Sequence, residues 1–408
     1  MHPVLFTIPL PATKVPLYPG LVALALVGLV LFVYGQTAKR PGLPVFGAAL
    51  LAVASYAAYL LREETLLLAP LPVPAWGTLV GLWLVATWYL TTKAARQLEL
   101  DRTSVENAFV VSALAGLLGA RGLFLVVTLG SPAASDPLAL RQGGLLGFGA
   151  VLGAIASATL FLRGKSLSVW QWLDLSAPSL CLGVILIRLG CYLQGCDFGT
   201  PLPASAPDWL AELGRFPRWA DPDHEPVSGA LAWLQQVELG SLGAEQAWAL
   251  PVHPVQLYEL GLGGLLLGLA LYLAPRRSFH GQTGLAVLFA YAYGRFVLEA
   301  LRGDALRGEF GPLLQARVSL SVGLLLLATA YAYGPALAIK RARLRYLSIA
   351  ATTLPALAGL ALTWGSQTPA RQLSASAWLA LLTAAGTSYV WSTREQLAPR
   401  QPPAPRVP

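Results

Sequence analysis

The chain has 408 residues, 55% hydrophobic and only 12% charged, with a mean hydropathy of +0.59. That composition excludes a soluble globular protein of this size and predicts a polytopic membrane protein. The net charge of +8 is spread over many short loops, which excludes a nucleic-acid-binding face, and the three cysteines exclude a disulfide framework or an all-thiolate zinc site.

The expected fold class is all-α, a polytopic bundle of about eleven membrane helices. Apolar stretches near the ~20 residues that a spanning helix needs fall at 18–35, 44–61, 75–92, 107–129, 143–162 and 170–193, then at 256–274, 283–301, 317–334, 346–363 and 375–392. Ahead of the first lies a segment, 1–17, with Lys14 as its one charge and no small-residue cleavage site before Pro19, so no cleavable signal peptide is expected. The basic residues Lys39/Arg40, Lys93/Arg96/Arg102, Arg163/Lys165, Arg276/Arg277, Lys340/Arg341/Arg343/Arg345 and Arg394 fall in alternate loops. By the positive-inside rule those loops are cytoplasmic, the N-terminus is outside and the C-terminus inside. The polar segment 197–252 then forms a small head on the outer side. Thr103-Ser104-Val105-Glu106 reads as a capping box that opens the 107–129 helix. The proline- and arginine-rich tail, 394–408, is expected to be disordered.

The chemistry centres on the stretch from Leu173 to Pro201, an apolar helix that carries Arg188 near its end and stops in a loop bracketed by Gly195 and Gly199. A guanidinium at membrane depth costs a few kcal/mol, so it faces a protein interior, a wet cavity or an anion. Tyr291, Arg295, Glu299 and Arg302 follow at steps of four, four and three, which places them on one face of the 283–301 helix. That stripe is either a charge pair pinning the helix to its neighbour or an anion site in which Glu299 holds Arg295. Arg121 is a further intramembrane arginine, either snorkelling to headgroups or touching a ligand. Together the four arginines exceed what Glu299 can balance, so the cavity is expected to attract a lipid phosphate. His253, Gln256, Tyr258 and Glu259 open the next span, and His253 is the first candidate for moving a proton near neutral pH. Cys191 and Cys196 are read as a disulfide, as two packed thiols or as a reactive thiol; Cys181 is read as core.

These residues resemble the prolipoprotein diacylglyceryl transferase family. Its GRxGNFxNGExxG signature corresponds to Ile187 through Gly199, its HPSQLYE to His253 through Glu259, and its YGxxRxxxEFxR to Tyr291 through Arg302. Val105-Glu106-Asn107 with Gly119-Ala120-Arg121-Gly122 is similar to its VEN…GGRxGY, and Pro3 to Pro11 followed by Tyr18 to its N-terminal segment. The resemblance covers about 1–40 and 101–335. Where the family has asparagine and glutamate stand Cys191 and Cys196; Phe148 replaces a histidine or tyrosine, and Ser319 to Val322 replaces a Ser-x-Gly-Gln motif.

The resemblance implies a transferase-like core over 18–334, about seven family helices, with an inserted hairpin at 42–92, a periplasmic head at 197–252 and an extra hairpin at 335–393. It implies a bacterial inner-membrane enzyme that moves diacylglycerol from phosphatidylglycerol to the lipobox cysteine of a prolipoprotein signal peptide, forming a thioether and releasing glycerol 1-phosphate. Arg188, Arg295, Glu299, His253 and Tyr18 are the expected catalytic residues. Arg121, Gln194, Gly195, Gly199, Gln256, Tyr258, Tyr291 and Arg302 are expected to bind substrate, and no metal or other cofactor is expected. The competing readings are a non-catalytic paralogue that binds phospholipid or lipoprotein precursor and a small-molecule transporter.

Overall fold

Helices form wherever the sequence offers a long apolar run, because a backbone without water partners must satisfy its own hydrogen bonds. The computed structural model describes residues 4–8, 13–38, 43–60, 65–68, 71–129, 144–219, 229–304, 309–362 and 370–397. It divides into a smaller unit, residues 3–75, and a larger one from Trp76 onward.

In the smaller unit α1 (Leu17–Thr37) packs along α2 (Leu43–Leu60). Gly28 permits the approach: a Cβ there would stand 2.5 Å from the backbone nitrogen of Leu51. Two short antiparallel ribbons complete the unit, Val4–Ile8 with Leu71–Pro74 and Thr13–Pro16 with Thr65–Leu68.

The larger unit runs through α3 (Ala75–Gln97), α4 (Arg102–Val127), α5 (Gly147–Phe161), α6 (Val169–Gln194), α7 (Asp208–Leu213), α8 (Leu231–Glu238) and α9 (Val255–Leu273). It continues with α10 (Gln282–Glu299), α11 (Ala316–Tyr333), α12 (Ala342–Leu362) and α13 (Ala375–Leu397). A helix of fifteen or more residues therefore stands at each of the eleven expected positions. Among the described residues, five stretches, Tyr18–Thr37, Arg102–Val127, Val169–Gln194, Val255–Arg276 and Ala316–Ala338, are long and apolar enough to cross a membrane. The helical expectation is amended by the ribbons, of which a third joins Glu309–Gln315 to Ala370–Ser374.

One helix start differs from expectation. Asp101, not Thr103, caps α4, accepting from the amides of Thr103 and Ser104, while Glu106 pairs with Arg102 at 2.6 Å instead of reaching back. A carboxylate two and three residues ahead of free amides outcompetes a longer side chain that has a cation beside it. The true capping box opens α6, where Ser168 and Gln171 satisfy each other's backbone amides.

α6 carries three of the neighbouring helices. α3 lies on it, with Trp83 Nε1 donating to the Ser179 carbonyl at 2.7 Å and the Trp76 backbone against Gly190. α9 and α10 also pack on it. Asp174, buried in α6, accepts from the amides of Gly281 at 2.7 Å and Gly284 at 3.1 Å, so it caps α10 from a neighbouring helix. The head between α6 and α9 has its own core of Phe198, Phe216, Trp233, Leu242 and Val252. α13 continues to Leu397, into the stretch expected to be disordered; 398–408 lie outside the described residues.

Candidate functional site

Gly195 ends α6 in the left-handed region, φ +73, where a Cβ would also stand 2.5 Å from Ala230 Cβ. The amide of Gly195 donates to Tyr192 and that of Cys196 to Cys191, at 3.3 and 3.1 Å, the two reversed bonds of a Schellman cap. The chain then runs between the entry to α9 and the exit of α10. Gly199 donates to the His253 carbonyl at 2.9 Å, Thr200 to Leu301 at 2.8 Å, and Gly303 to Phe198 at 3.1 Å. Gly199 has no room for a side chain: a Cβ would meet His253 Cβ at 2.5 Å and the carbonyl oxygens of His253 and Leu301 at 2.6 and 2.7 Å. Gln256, fully buried, donates to the Cys196 carbonyl at 2.5 Å and fixes the turn from the α9 side.

This joint gathers the charges into one chain. Arg188 contacts Asp197 through Nη1 and places Nε 2.7 Å from Glu259. Glu259 also lies 3.6 Å from Arg295, which pairs with Glu299 at 2.5 Å. Arg302 reaches Asp197 at 2.6 Å and Asp304 at 2.5 Å. The far end is closed by Ser374, whose hydroxyl donates to Glu299 at 2.6 Å. Burial raises the Asp197 carboxyl, but Arg302, Arg188 and Arg295 outweigh it and hold it well below the usual carboxylate range.

Arg188, Arg295, Glu299 and Arg302 therefore come together, with Tyr291 facing Arg188, Glu259 and Arg295. Arg302 does not lie on α10, which ends at Glu299; a tight turn from Val297 to Arg302 carries it there. The expected surplus of positive charge is overturned: in this network three guanidiniums face four carboxylates. Glu259, noted in the sequence only as an interfacial carboxylate, is fully buried between two arginines. The signal for it was the countercharge that Arg188 needs at membrane depth. Asp197 and Asp304 carried the same signal; Ser374 carried none.

His253 precedes α9 with Nδ1 3.3 Å from the Tyr258 hydroxyl, and burial pushes its pKa below the ordinary imidazole value. Arg121 donates to the Gly144 carbonyl at 3.1 Å and lies over the Phe124 ring. Gln194 is the last residue of α6, and Tyr18 begins α1 in the smaller unit, 48% exposed. Phe148 packs against Tyr291 with ring centroids 6.1 Å apart. Beside the charges, α9 and α10 border an apolar groove of about 620 Å³ lined by Tyr258, Leu262, Leu265, Tyr293, Val297 and Leu298.

Cys191 and Cys196 are free thiols, and their sulfurs and an Asp197 oxygen lie within 4.8 Å of one another. This set has the donors for a soft cation, but both Asp197 oxygens already serve guanidiniums. Cys181 is core, as expected.

The family model for prolipoprotein diacylglyceryl transferase matches residues 63–334, from ahead of α3 to the end of α11. The chain is 29% identical to the phosphatidylglycerol–prolipoprotein diacylglyceryl transferase of Symbiobacterium thermophilum over 269 residues, 64% of this chain and 90% of that protein. It is 26% identical to the enzyme of that name from Bacillus cereus over 268 residues, 64% of this chain and 87% of the relative. For the Clostridium tetani protein of the same name the identity is 23% over 239 residues, 57% and 82% of the two chains. Tyr18 and Ser374 lie outside the family match; the arginine–carboxylate chain from Glu259 through Arg188 to Arg302 lies inside it. The chain belongs to the prolipoprotein diacylglyceryl transferase family.

Proposed function

We propose that this chain transfers the diacylglyceryl group of phosphatidylglycerol to the lipobox cysteine of prolipoprotein signal peptides. It would do so as a multi-pass protein of the bacterial inner membrane, N-terminus outside, C-terminus cytoplasmic, with the site and the 197–252 head toward the periplasm. The observation that carries this reading is the convergence of Arg188 and Arg302 on the two oxygens of Asp197.

A carboxylate held between two guanidiniums sits where a phosphate would sit, so a phosphodiester can take its place by exchanging one anion for another. That removes the need for surplus positive charge. The incoming thiol gives its proton to His253, kept neutral by burial and oriented by Tyr258. The thiolate attacks the glycerol carbon bearing the phosphate ester; the C–S bond forms as the C–O bond breaks, and glycerol 1-phosphate leaves against Arg188 and Arg302. Glu259 and Glu299 hold Arg188 and Arg295 in place. The apolar groove between α9 and α10 takes hydrocarbon beside the reacting headgroup. Thioether formation by this route requires no metal or nucleotide.

The test is incubation of membranes containing the protein with phosphatidylglycerol and a lipobox peptide. Thioether-linked diacylglycerol is expected with the native chain and not with Arg188→Ala or the charge-conserving Arg188→Lys. Unchanged transfer in both variants would overturn the role of Arg188. A non-catalytic, lipid-binding paralogue is the second reading, favoured by the full pairing of the three guanidiniums in the network. Failure to rescue a strain depleted of its own transferase, at normal membrane levels of the protein, would decide for that reading.

A further inference from the structure

Cys191 and Cys196 hold the two side-chain positions that a Schellman cap presses together. In this motif the residue three from the helix end and the second residue past it are in contact, most often as two apolar side chains. Here the reversed bonds that define the cap, Gly195 to Tyr192 and Cys196 to Cys191, are both made. They fold the chain back at Gly195 and bring two sulfurs within 4.8 Å, which five residues of continuous helix would not do. The pair is neither exposed nor sealed. Cys191 is 4% exposed and lies beneath, whereas Cys196 is partly exposed above it. Cys181, mid-helix, is 1% exposed and provides an inert comparison in the same protein.

We propose that Cys191 and Cys196 form a redox-active dithiol that exchanges with low-molecular-weight and protein disulfides and closes into an intramolecular disulfide across the α6 cap. Cys196, the more exposed residue of the pair, loses its proton and attacks one sulfur of the incoming disulfide R–S–S–R, releasing R–SH and leaving a mixed disulfide. Cys191 then loses its proton and attacks the Cys196 sulfur, closing the ring and releasing the second R–SH. The incoming disulfide is reduced by two electrons, the dithiol is oxidised by two, and the two thiol protons leave on the two R–SH molecules.

The hydrogen bond with Cys191, burial and the neighbouring Asp197 charge push the Cys196 thiol well up, so exchange is slow at neutral pH and accelerates as pH rises. The closed form fastens Cys196, and with it Asp197, to the last turn of α6. The residue that bridges Arg188 and Arg302 would thus be held by a covalent link in one redox state and by hydrogen bonds alone in the other. None of this depends on what the chain transfers.

The full-length protein in detergent is equilibrated in reduced and oxidised glutathione mixtures, quenched in acid, denatured, alkylated with a maleimide and mapped by mass spectrometry. Cys191 and Cys196 are expected to lose alkylation together as the buffer becomes more oxidising, with a linked Cys191–Cys196 peptide recovered and Cys181 alkylated throughout. In Cys191→Ser, Cys196 is expected to accumulate as its glutathione adduct; in Cys196→Ser, Cys191 is expected to remain a thiol. Both native thiols remaining alkylatable in the most oxidising buffer, at neutral pH and at pH ~9, near the ordinary thiol value, would overturn the proposal. A native protein that stops at the Cys196 adduct would overturn it as well. Hydrogen exchange provides the second readout: amides 196–199 should exchange several-fold more slowly in the oxidised form, and equal exchange would overturn the fastening of Asp197.

Discussion

The Ser374 hydroxyl donates a hydrogen bond to Glu299 across 75 positions of sequence, at 2.6 Å. Glu299 holds Arg295, so the helix that follows Ser374, outside the family match, supports the charge chain of the matched core. Replacing Ser374 by Ala removes a bond to a charged acceptor, a loss of about 1.5–3 kcal/mol. Diacylglyceryl transfer by Ser374→Ala is expected to fall by about tenfold or more, with Ser374→Thr restoring most of it. Equal activity of Ala and native proteins would show that the C-terminal helices do not steady the site.

Glu259 faces both Arg188 and Arg295, and it is fully buried. Removing one member of a buried charge pair strands its partners and costs about 3–5 kcal/mol. Glu259→Ala is therefore expected to lower the melting temperature sharply and to reduce accumulation in membranes, and Glu259→Gln to do so less. The check is thermal unfolding in detergent. Arg102→Ala, which breaks the exposed pair with Glu106, should shift it little.

His253 sets the expected pH dependence. Burial holds its imidazole below the ordinary value of about 6.5, so the neutral form that accepts a proton persists to lower pH than for a free histidine. Transfer should stay level through neutrality and decline only below about 6.5. The same lowered pKa means that acidification charges the unfolded chain first, so stability is also lost in that direction. A pH–rate profile decides: an acid limb above the ordinary value, or one that persists in His253→Gln, would remove His253 from the proton-accepting role.

Gly199 is closed in by His253 and by the carbonyls of His253 and Leu301. Gly199→Ala is expected to force the loop away from α9 and α10, separating Asp197 from Arg302. The helices should remain, with native helix content by circular dichroism, and transfer should be abolished. Retained transfer would show that the joint tolerates the displacement.

Asp174 caps α10 from α6, with Arg277 Nε 3.7 Å from it. Asp174→Ala should cost about 1–2 kcal/mol, the value of a helix cap, because the Gly281 and Gly284 amides lose their acceptor. Asp174→Asn, which retains an acceptor, should cost less. Thermal unfolding of the two variants checks the order.

Much of the site could be read before folding, since arginines in apolar runs are rare and costly enough to mark a buried purpose. Arg188, Arg295 and Glu299 stand out for that reason, and the four-residue step between Arg295 and Glu299 gives their pairing. Arg302 did not follow from the same stripe, because a helical step counts only while the helix lasts and α10 ends at Glu299. The Asp101 cap was hidden by a better-known pattern two residues later.

The sequence by itself determined where the helices run, through unbroken apolar length, and which side chains had to be removed from lipid, through their charge. Only the tertiary structure decided how those charges are balanced. Asp197, Glu259 and Asp304 come from a loop, a second helix and a turn, and Ser374 from a ribbon beyond the matched core. Which acceptor meets which guanidinium depends on backbone approach at Gly195 and Gly199 and on the ladder joining Phe198–Thr200 to His253 and Leu301–Gly303. Those contacts span separations that local propensity does not sense, because their energy appears only when distant segments are packed together.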